Sequence, residues 1–413
     1  MNKRVNDKKT NNIVKSIYLI HKVFISSLEK YIYKLLSKNI NDFIIWLYYY
    51  IYKRRKYMKK IGIVTIYDLR NYGNRLQNYA TQSFLKKMGF EVYTIVNNDV
   101  IEKMTISIKL KRFILKMINS NIRFFIKKQD KRMNNFKIFD SLIDKKYVNN
   151  KNINKIKKQY DYFVVGSDQV WNPYYCPNSD WYFLNFCDKS QKLTMSPSIG
   201  LNILPKEYYS IFKEKLKSFD LISCREFEGT SILEDITKKD VITLIDPTML
   251  LTTDEWDTVI KKPKKFISCK YVLLYFLGGI DEKNTKYIKE LKEAGYQIID
   301  LLDINNDYYE CNPSEFVWLI KNASLMVTDS FHGCVFSILY KTPFVSIDRI
   351  SEKKFEMNSR INTLMKKFNL ERRVFNDNKS VLEYMEQDFS NIDMILKEER
   401  EKFKDFFQSC IKK

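Results

Sequence analysis

Two histidines occur in this 413-residue chain, and one of them, His332, stands where chemistry is easiest to place. The apolar strand Leu325-Met-Val-Thr328 breaks there into Asp329-Ser330-Phe331-His332-Gly333, and a helix begins. Free N–H groups at such a helix start attract anions, and an imidazole trades protons near neutral pH. A second polar edge follows the buried strand Tyr162-Phe-Val-Val165. The peptide Gly166-Ser167-Asp168-Gln169-Val170-Trp171-Asn172 offers a hydroxyl, a carboxylate, two amides and an indole, a set that suits carbohydrate. Two readings stay open for Asp168, a turn cap or a sugar ligand, and two for Trp171, a core residue or a stacking platform.

Strands feeding loops and helices must position these groups. Ile61 to Tyr67 reads as a strand, Leu69 to Gly73 as a turn and Asn74 to Lys87 as a helix, with a further strand at Glu91–Val96. This is the opening of an α/β unit with a parallel sheet. Strands are expected again at Tyr162, at Leu221–Cys224 with Arg225 and Glu226 at its carboxyl end, and at Val241. After the linker-like Lys261–Lys265 the pattern restarts with Tyr271–Leu277, a helix from 282 to 294, the strand 297–302 and a helix over Pro313–Lys321 that Ser314 could cap. The His332 strand, the strand Phe344–Ile347 and a long final helix at 391–411 follow. This alternation predicts an α/β protein of two Rossmann-like domains facing a cleft, 59–260 and 261–413, the last helix packing back across both.

Charge is unevenly spread. Residues 1–60 hold 15 Lys and Arg against 3 Asp and Glu, residues 101–160 hold 17 against 4, and the formal total is +22. The remainder is therefore close to neutral, which argues against nucleic acid as the partner; coding bias explains the excess equally well. Residues 1–58 read as a basic, aromatic-rich helical extension, and 101–160 as a basic insertion or lid. Within the extension, Phe43-Ile-Ile-Trp-Leu-Tyr-Tyr-Tyr-Ile-Tyr52 is too short to span a bilayer, which needs about 20 residues. With Lys53-Arg-Arg-Lys56 it suits a membrane interface, while a helix packed on the body or an over-long gene start serves equally; His21 there is incidental. Seven scattered cysteines without a C-x-x-C pair, and so few histidines, give no structural zinc set and suggest a reduced, cytoplasmic chain, or one peripheral at the inner membrane face.

Six segments carry a resemblance: Asn71-Tyr-Gly73-Asn-Arg75-Leu-Gln77, Gly166–Asn172, Ser223-Cys-Arg225-Glu226, Asp246-Pro-Thr248, Asp329–Gly333 and Asn358-Ser-Arg360-Ile361. In this order they resemble the polysaccharide pyruvyl transferase family over roughly residues 60–375. The resemblance implies a GT-B-like fold and transfer of a pyruvyl group from phosphoenolpyruvate, as co-substrate, to a sugar of a cell-surface polysaccharide or lipid-linked precursor. Neither metal nor other cofactor is expected. His332 becomes the implied general acid, its helix amino terminus opposing the imidazolium and an anionic substrate favouring it, so that substrate switches proton donation on. Many members carry an arginine beside or two residues before this histidine, where Phe331 and Ser330 stand here. The replacement cation is expected among Arg225, Arg360, Arg75 and Lys341, the first two foremost because guanidinium binds phosphate and carboxylate in bidentate fashion. Asn71, Gly73, Ser167, Asp168, Trp171, Asn172 and Ser330 complete the expected substrate site. A GT-B glycosyltransferase using a nucleotide sugar and a non-catalytic membrane or nucleic-acid adaptor are the competing readings.

Overall fold

The computed structural model describes residues 58–101, 120–176, 180–265, 269–280, 282–349, 358–376 and 378–412. The expectations for the extension up to residue 57, including His21, the Phe43–Tyr52 run and the Lys53–Lys56 cluster, lie outside them. Among the described residues no helix is long and apolar enough to cross a membrane.

The first half runs β1 (Lys60–Val64), α1 (Tyr72–Lys87), β2 (Glu91–Asn97), α2 (Ser120–Asp140), β3 (Lys145–Val148), α3 (Ile153–Lys157), β4 (Tyr162–Val165), β5 (Lys192–Thr194), α4 (Tyr209–Leu216), β6 (Ile222–Cys224), α5 (Phe227–Thr237) and β7 (Val241–Thr243). Five strands form a parallel sheet in the order β3-β2-β1-β4-β5. Buried on both faces, the inner strands are almost uninterrupted apolar runs. Gly62 in β1 is required by packing, because a Cβ there would lie 2.7 Å from the Phe163 ring. Side-chain hydroxyls continue the sheet past its edge: Thr194 Oγ1 and Ser223 Oγ lie 3.0 Å apart, and Ser196 N donates to Ser223 Oγ at 3.0 Å. They tie β5 to the parallel pair β6-β7.

The second half contains α6 (Thr253–Asp257), β8 (Tyr271–Tyr275), α7 (Glu282–Glu293), β9 (Gln297–Asp300), α8 (Pro313–Lys321), β10 (Leu325–Thr328), α9 (Phe331–Tyr340), β11 (Phe344–Ser346), α10 (Ser359–Lys367) and α11 (Ile392–Ile411). Its four strands are parallel in the order β11-β10-β8-β9. The fold is thus the expected α/β, GT-B-like class with two Rossmann-like sheets.

Two local readings change. The cap of α8 is Asn312, whose side chain accepts from Glu315 N while Glu315 answers at Asn312 N; Ser314 lies inside the helix. Pro313 explains this, since its fixed φ and missing N–H favour the first helical position and push the cap one residue earlier. The stretch read as an insertion or lid, where described, supplies the crossover helix α2 and the edge strand β3. Lys145 and Lys146 hid that strand, because lysines on a sheet edge blunt pairing with other chains and erase the apolar signal.

Between the sheets lies a shared core. Ile61, Tyr72, Leu76 and Leu85 from the first half belong to the same buried cluster as Leu273, Phe316, Phe336 and Phe344 from the second. Tyr72 stacks on Phe316 with ring centroids 4.3 Å apart, and its hydroxyl donates to Cys311 O at 2.9 Å. Helix α11 adds Phe403 and Phe407 against Phe84, while Arg400 donates to Met249 O and Leu251 O. Separate clusters fill the outer faces of each sheet.

Candidate active site

Strand order tells where ligands collect. In the first sheet the chain leaves β1 for β2 on one side and returns to β4 on the other; in the second it leaves β8 for β9 and returns to β10. A crevice opens beyond the carboxyl ends at each such reversal. Ser167 and Asp168 follow β4 at the first reversal. Asp329, Ser330, Phe331 and His332 follow β10 at the second, and Arg225 and Asp246 come from the loops after β6 and β7.

These loops meet around Asp246, which is almost fully buried. Its Oδ1 accepts from Thr248 N at 2.9 Å and Thr248 Oγ1 at 2.6 Å, capping a 3-10 turn at Pro247–Leu250. Its Oδ2 receives Ser167 Oγ at 2.9 Å and Arg225 Nη2 at 2.9 Å. His332 Nε2 stands 3.7 Å from the same oxygen, too far for a hydrogen bond, and is buried without a partner. Burial alone would push this carboxyl up, but the Arg225 guanidinium, helped by His332 and Thr248, overrides it and holds Asp246 well below the usual carboxylate range.

Gly73 fixes the imidazole from the other side. A Cβ on Gly73 would lie 2.0 Å from His332 Nδ1 and 2.4 Å from its Cγ, so the ring rests on bare backbone in the first turn of α1. Asn71 caps that helix by accepting from Asn74 N at 3.1 Å. Asn74 in turn donates to Asp168 Oδ2 at 2.9 Å. Asp168 has φ +87°, a left-handed conformation that a non-glycine residue holds only when its surroundings impose it. Ser330 caps α9, with Gly333 N donating to its Oγ at 3.4 Å.

Two arginines lie against Phe331, beside the imidazole. The Arg225 guanidinium carbon lies 4.9 Å from the Phe331 ring centroid and that of Arg360 lies 5.8 Å from it. Arg225 Nη2 also donates to Ser167 Oγ, but its Nε and Nη1, like Arg360 Nε, are buried without a hydrogen-bond partner. Burial, reinforced by the neighbouring cations Arg225 and Arg349, pushes Arg360 down to about 10. Ser196 Oγ and Ser198 Oγ and Glu226 Oε2 are likewise buried and unpartnered. Donors outnumber acceptors in this set, so what it lacks is an anion.

The structure therefore brings His332, Gly73, Ser167, Arg225, Arg360 and Ser330 together, with Asp168 and Asn71 linked through Asn74. Others are turned elsewhere. Arg75 is fully buried and its guanidinium is taken by Asp140 Oδ1 at 2.9 Å, Ile66 O at 3.0 Å and Asn74 Oδ1. Trp171 is a core residue whose Nε1 donates to Tyr182 O and whose ring stacks on Phe183. Asn172 holds its own turn through Gln169 Oε1 and Tyr174 N. Lys341 pairs with Asp393 at the far end of α9, about 13 Å along the helix from His332.

Asp246, Asn74 and the Asp329–Arg349 pair are neighbours of His332 not among the expected site residues, and Phe331 was noted only as the place of a missing arginine. Asp329 receives Leu277 N and Gly278 N, each at 2.7 Å, and Arg349 Nε at 3.2 Å, locking the loop after β8. The motif Asp246-Pro247-Thr248 was the available signal for Asp246, but by itself it reads as a turn. Among the described residues no cluster of three or more His, Cys, Asp or Glu side chains is placed to hold a metal ion.

Fold and site together define an α/β, GT-B-like protein with an imidazole and two buried guanidiniums at facing sheet ends. A family model described as polysaccharide pyruvyl transferase matches residues 71–351. The chain belongs to that family and is a transferase. No curated protein matches it in sequence. Solved structures similar to it include a UDP-N-acetylglucosamine 2-epimerase from Rickettsia bellii, with 11% identity, 86% of this chain and 98% of that one covered, and a TM-score of 0.45. A putative enzyme of the same description from Listeria monocytogenes has 11% identity, coverage of 84% and 90%, and a TM-score of 0.42. An E. coli heptosyltransferase has 10% identity, coverage of 75% and 99%, and a TM-score of 0.31. Resemblances this distant say nothing of what the chain binds.

Proposed function

We propose that this transferase takes the pyruvyl group of phosphoenolpyruvate and joins it, as a cyclic ketal, to two hydroxyls of one sugar in a cell-surface polysaccharide or its lipid-linked precursor. The observation that carries this reading is the pair of buried arginines, Arg225 and Arg360, whose Nε atoms and Arg225 Nη1 lack partners beside His332. Arg225 keeps Asp246, yet two buried guanidiniums with unfilled donors are costly against a single carboxylate unless an anion joins them, and phosphoenolpyruvate brings both a phosphate and a carboxylate.

His332 then donates a proton to the methylene carbon, and Asp246 steadies the imidazolium from 3.7 Å. A sugar hydroxyl adds to the neighbouring cationic carbon. Phosphate departs with its bond electrons, a second hydroxyl adds to the same carbon, and of the two hydroxyl protons released one restores His332 and one leaves with phosphate. No cofactor beyond the co-substrate enters this sequence. Work at the cytoplasmic side, against the inner face of the membrane, fits a lipid-linked acceptor.

Phosphate release that requires both phosphoenolpyruvate and a sugar acceptor tests the proposal. His332→Ala should abolish it, and full activity in that variant would remove His332 as the acid. In thermal melts phosphoenolpyruvate should stabilise the protein, whereas stabilisation by UDP- or GDP-sugars alone would favour glycosyl transfer instead.

A further inference from the structure

Helix α2 presents a face that the other described residues leave exposed. Its inner side is fastened: Arg132 Nη1 donates to Leu301 O at 3.1 Å and Tyr309 O at 3.0 Å, and Asn135 Nδ2 to Glu310 O at 2.8 Å. On its outer side Arg123, Lys127 and Lys131 recur every four residues, with Phe124, Asn134 and Ile138 among them, all exposed. At the helical period these six fall in a stripe roughly 100° wide. Asp130, the sole acid between residues 120 and 139, falls at its margin. On this side Phe124 is 46% exposed, Ile138 57%, and Leu142 just beyond the helix 44%.

Large apolar side chains this exposed at both ends of one helical stripe mark a contact surface, and the cations between them restrict the partner to one that is apolar and negative at once. We infer that the outer stripe of α2 seats in the interface of an anionic bilayer. Phe124 and Ile138 enter the boundary of the acyl chains, and Arg123, Lys127 and Lys131 face lipid phosphates. Lys131 also reaches Glu310 yet keeps most of its surface. A nucleic acid would use the cations and stack on Phe124 but has nothing to offer Ile138 and Leu142. The inference does not rest on the reading of His332.

The full-length protein is mixed with sedimenting phosphatidylcholine vesicles with and without phosphatidylglycerol. Co-sedimentation with the anionic vesicles, weakened by salt, is expected. The double variants Phe124→Ser/Ile138→Ser and Arg123→Glu/Lys127→Glu, with unchanged melting temperatures, should each lower the partition coefficient about tenfold or more. Unchanged partitioning in either double variant overturns the inference, since another surface then carries the binding. So does failure of the wild type to sediment, whether the stripe instead binds labelled RNA or pairs two copies of the chain.

Discussion

The Phe331 ring lies against two guanidiniums that repel one another, and His332 meets it edge-on at 5.2 Å. The aromatic face offsets part of the charge on each arginine while leaving their N–H edges free for substrate. Arg360, drawn down from its ordinary value to about 10 chiefly by burial, carries a penalty of roughly 3 kcal/mol for holding its charge. The unfolded chain holds the proton more tightly than the folded one, so this penalty is complete at neutral pH and shrinks as pH rises past about 10. Arg360→Met should therefore raise the melting temperature of the substrate-free protein by a few degrees while raising KM for phosphoenolpyruvate about tenfold or more. Melts with and without phosphoenolpyruvate measure both effects. Asp246 has the opposite sign: its stabilisation is present throughout the neutral range and is lost only in strong acid. Gly73→Ala should push the imidazole off its backbone rest and lower kcat about 100-fold, with little further loss when combined with His332→Ala. Steady-state kinetics of the single and double variants checks this. His332 was legible in the sequence because it is rare and follows a strand. Phe331 was legible only as a missing cation, since nothing in a string of letters says that one ring will lie against two distant arginines.

Among the elements, the long apolar strands were the easiest to find. β2, β4, β8 and β10 stand where apolar runs place them, and α8 matches its expected span residue for residue. Polar edges hid the rest, as in β3, and so did contacts made only after folding, as in the loop that follows β8. Asp329 holds that loop with two backbone N–H groups and Arg349. Asn at this position has one carbonyl oxygen to share and turns an amide toward a donor. Asp329→Asn should cost about 2 kcal/mol and make the Leu277 and Gly278 amides exchange faster. Hydrogen exchange followed by peptide mass analysis reads this directly, and protection equal to wild type would show the loop to be held by other contacts. The cations were foreseen in the same uneven way. Arg225 and Arg360 follow a strand end and open a helix and reach the site, whereas Arg75, on the first turn of α1, is drawn back by Asp140.

At the scale of the molecule, a sequence of two α/β halves suggests two cores, yet buried residues from both sheets form one cluster. Residues 59–413 accordingly form a single compact unit. Calorimetry should show one cooperative transition for this unit, and Arg132→Ala, which removes hydrogen bonds across the two halves, should lower its midpoint without splitting it. Two resolved transitions in the wild type would contradict a common core. The contact between His332 and Gly73 gains its meaning at this scale. One partner is carried by the second sheet and the other by the first turn after β1, so the acid is an interlock between the halves. Any parting of the sheets withdraws the imidazole from both Gly73 and Asp246. On the proposed reading, proton donation to phosphoenolpyruvate therefore requires the two halves to be held together.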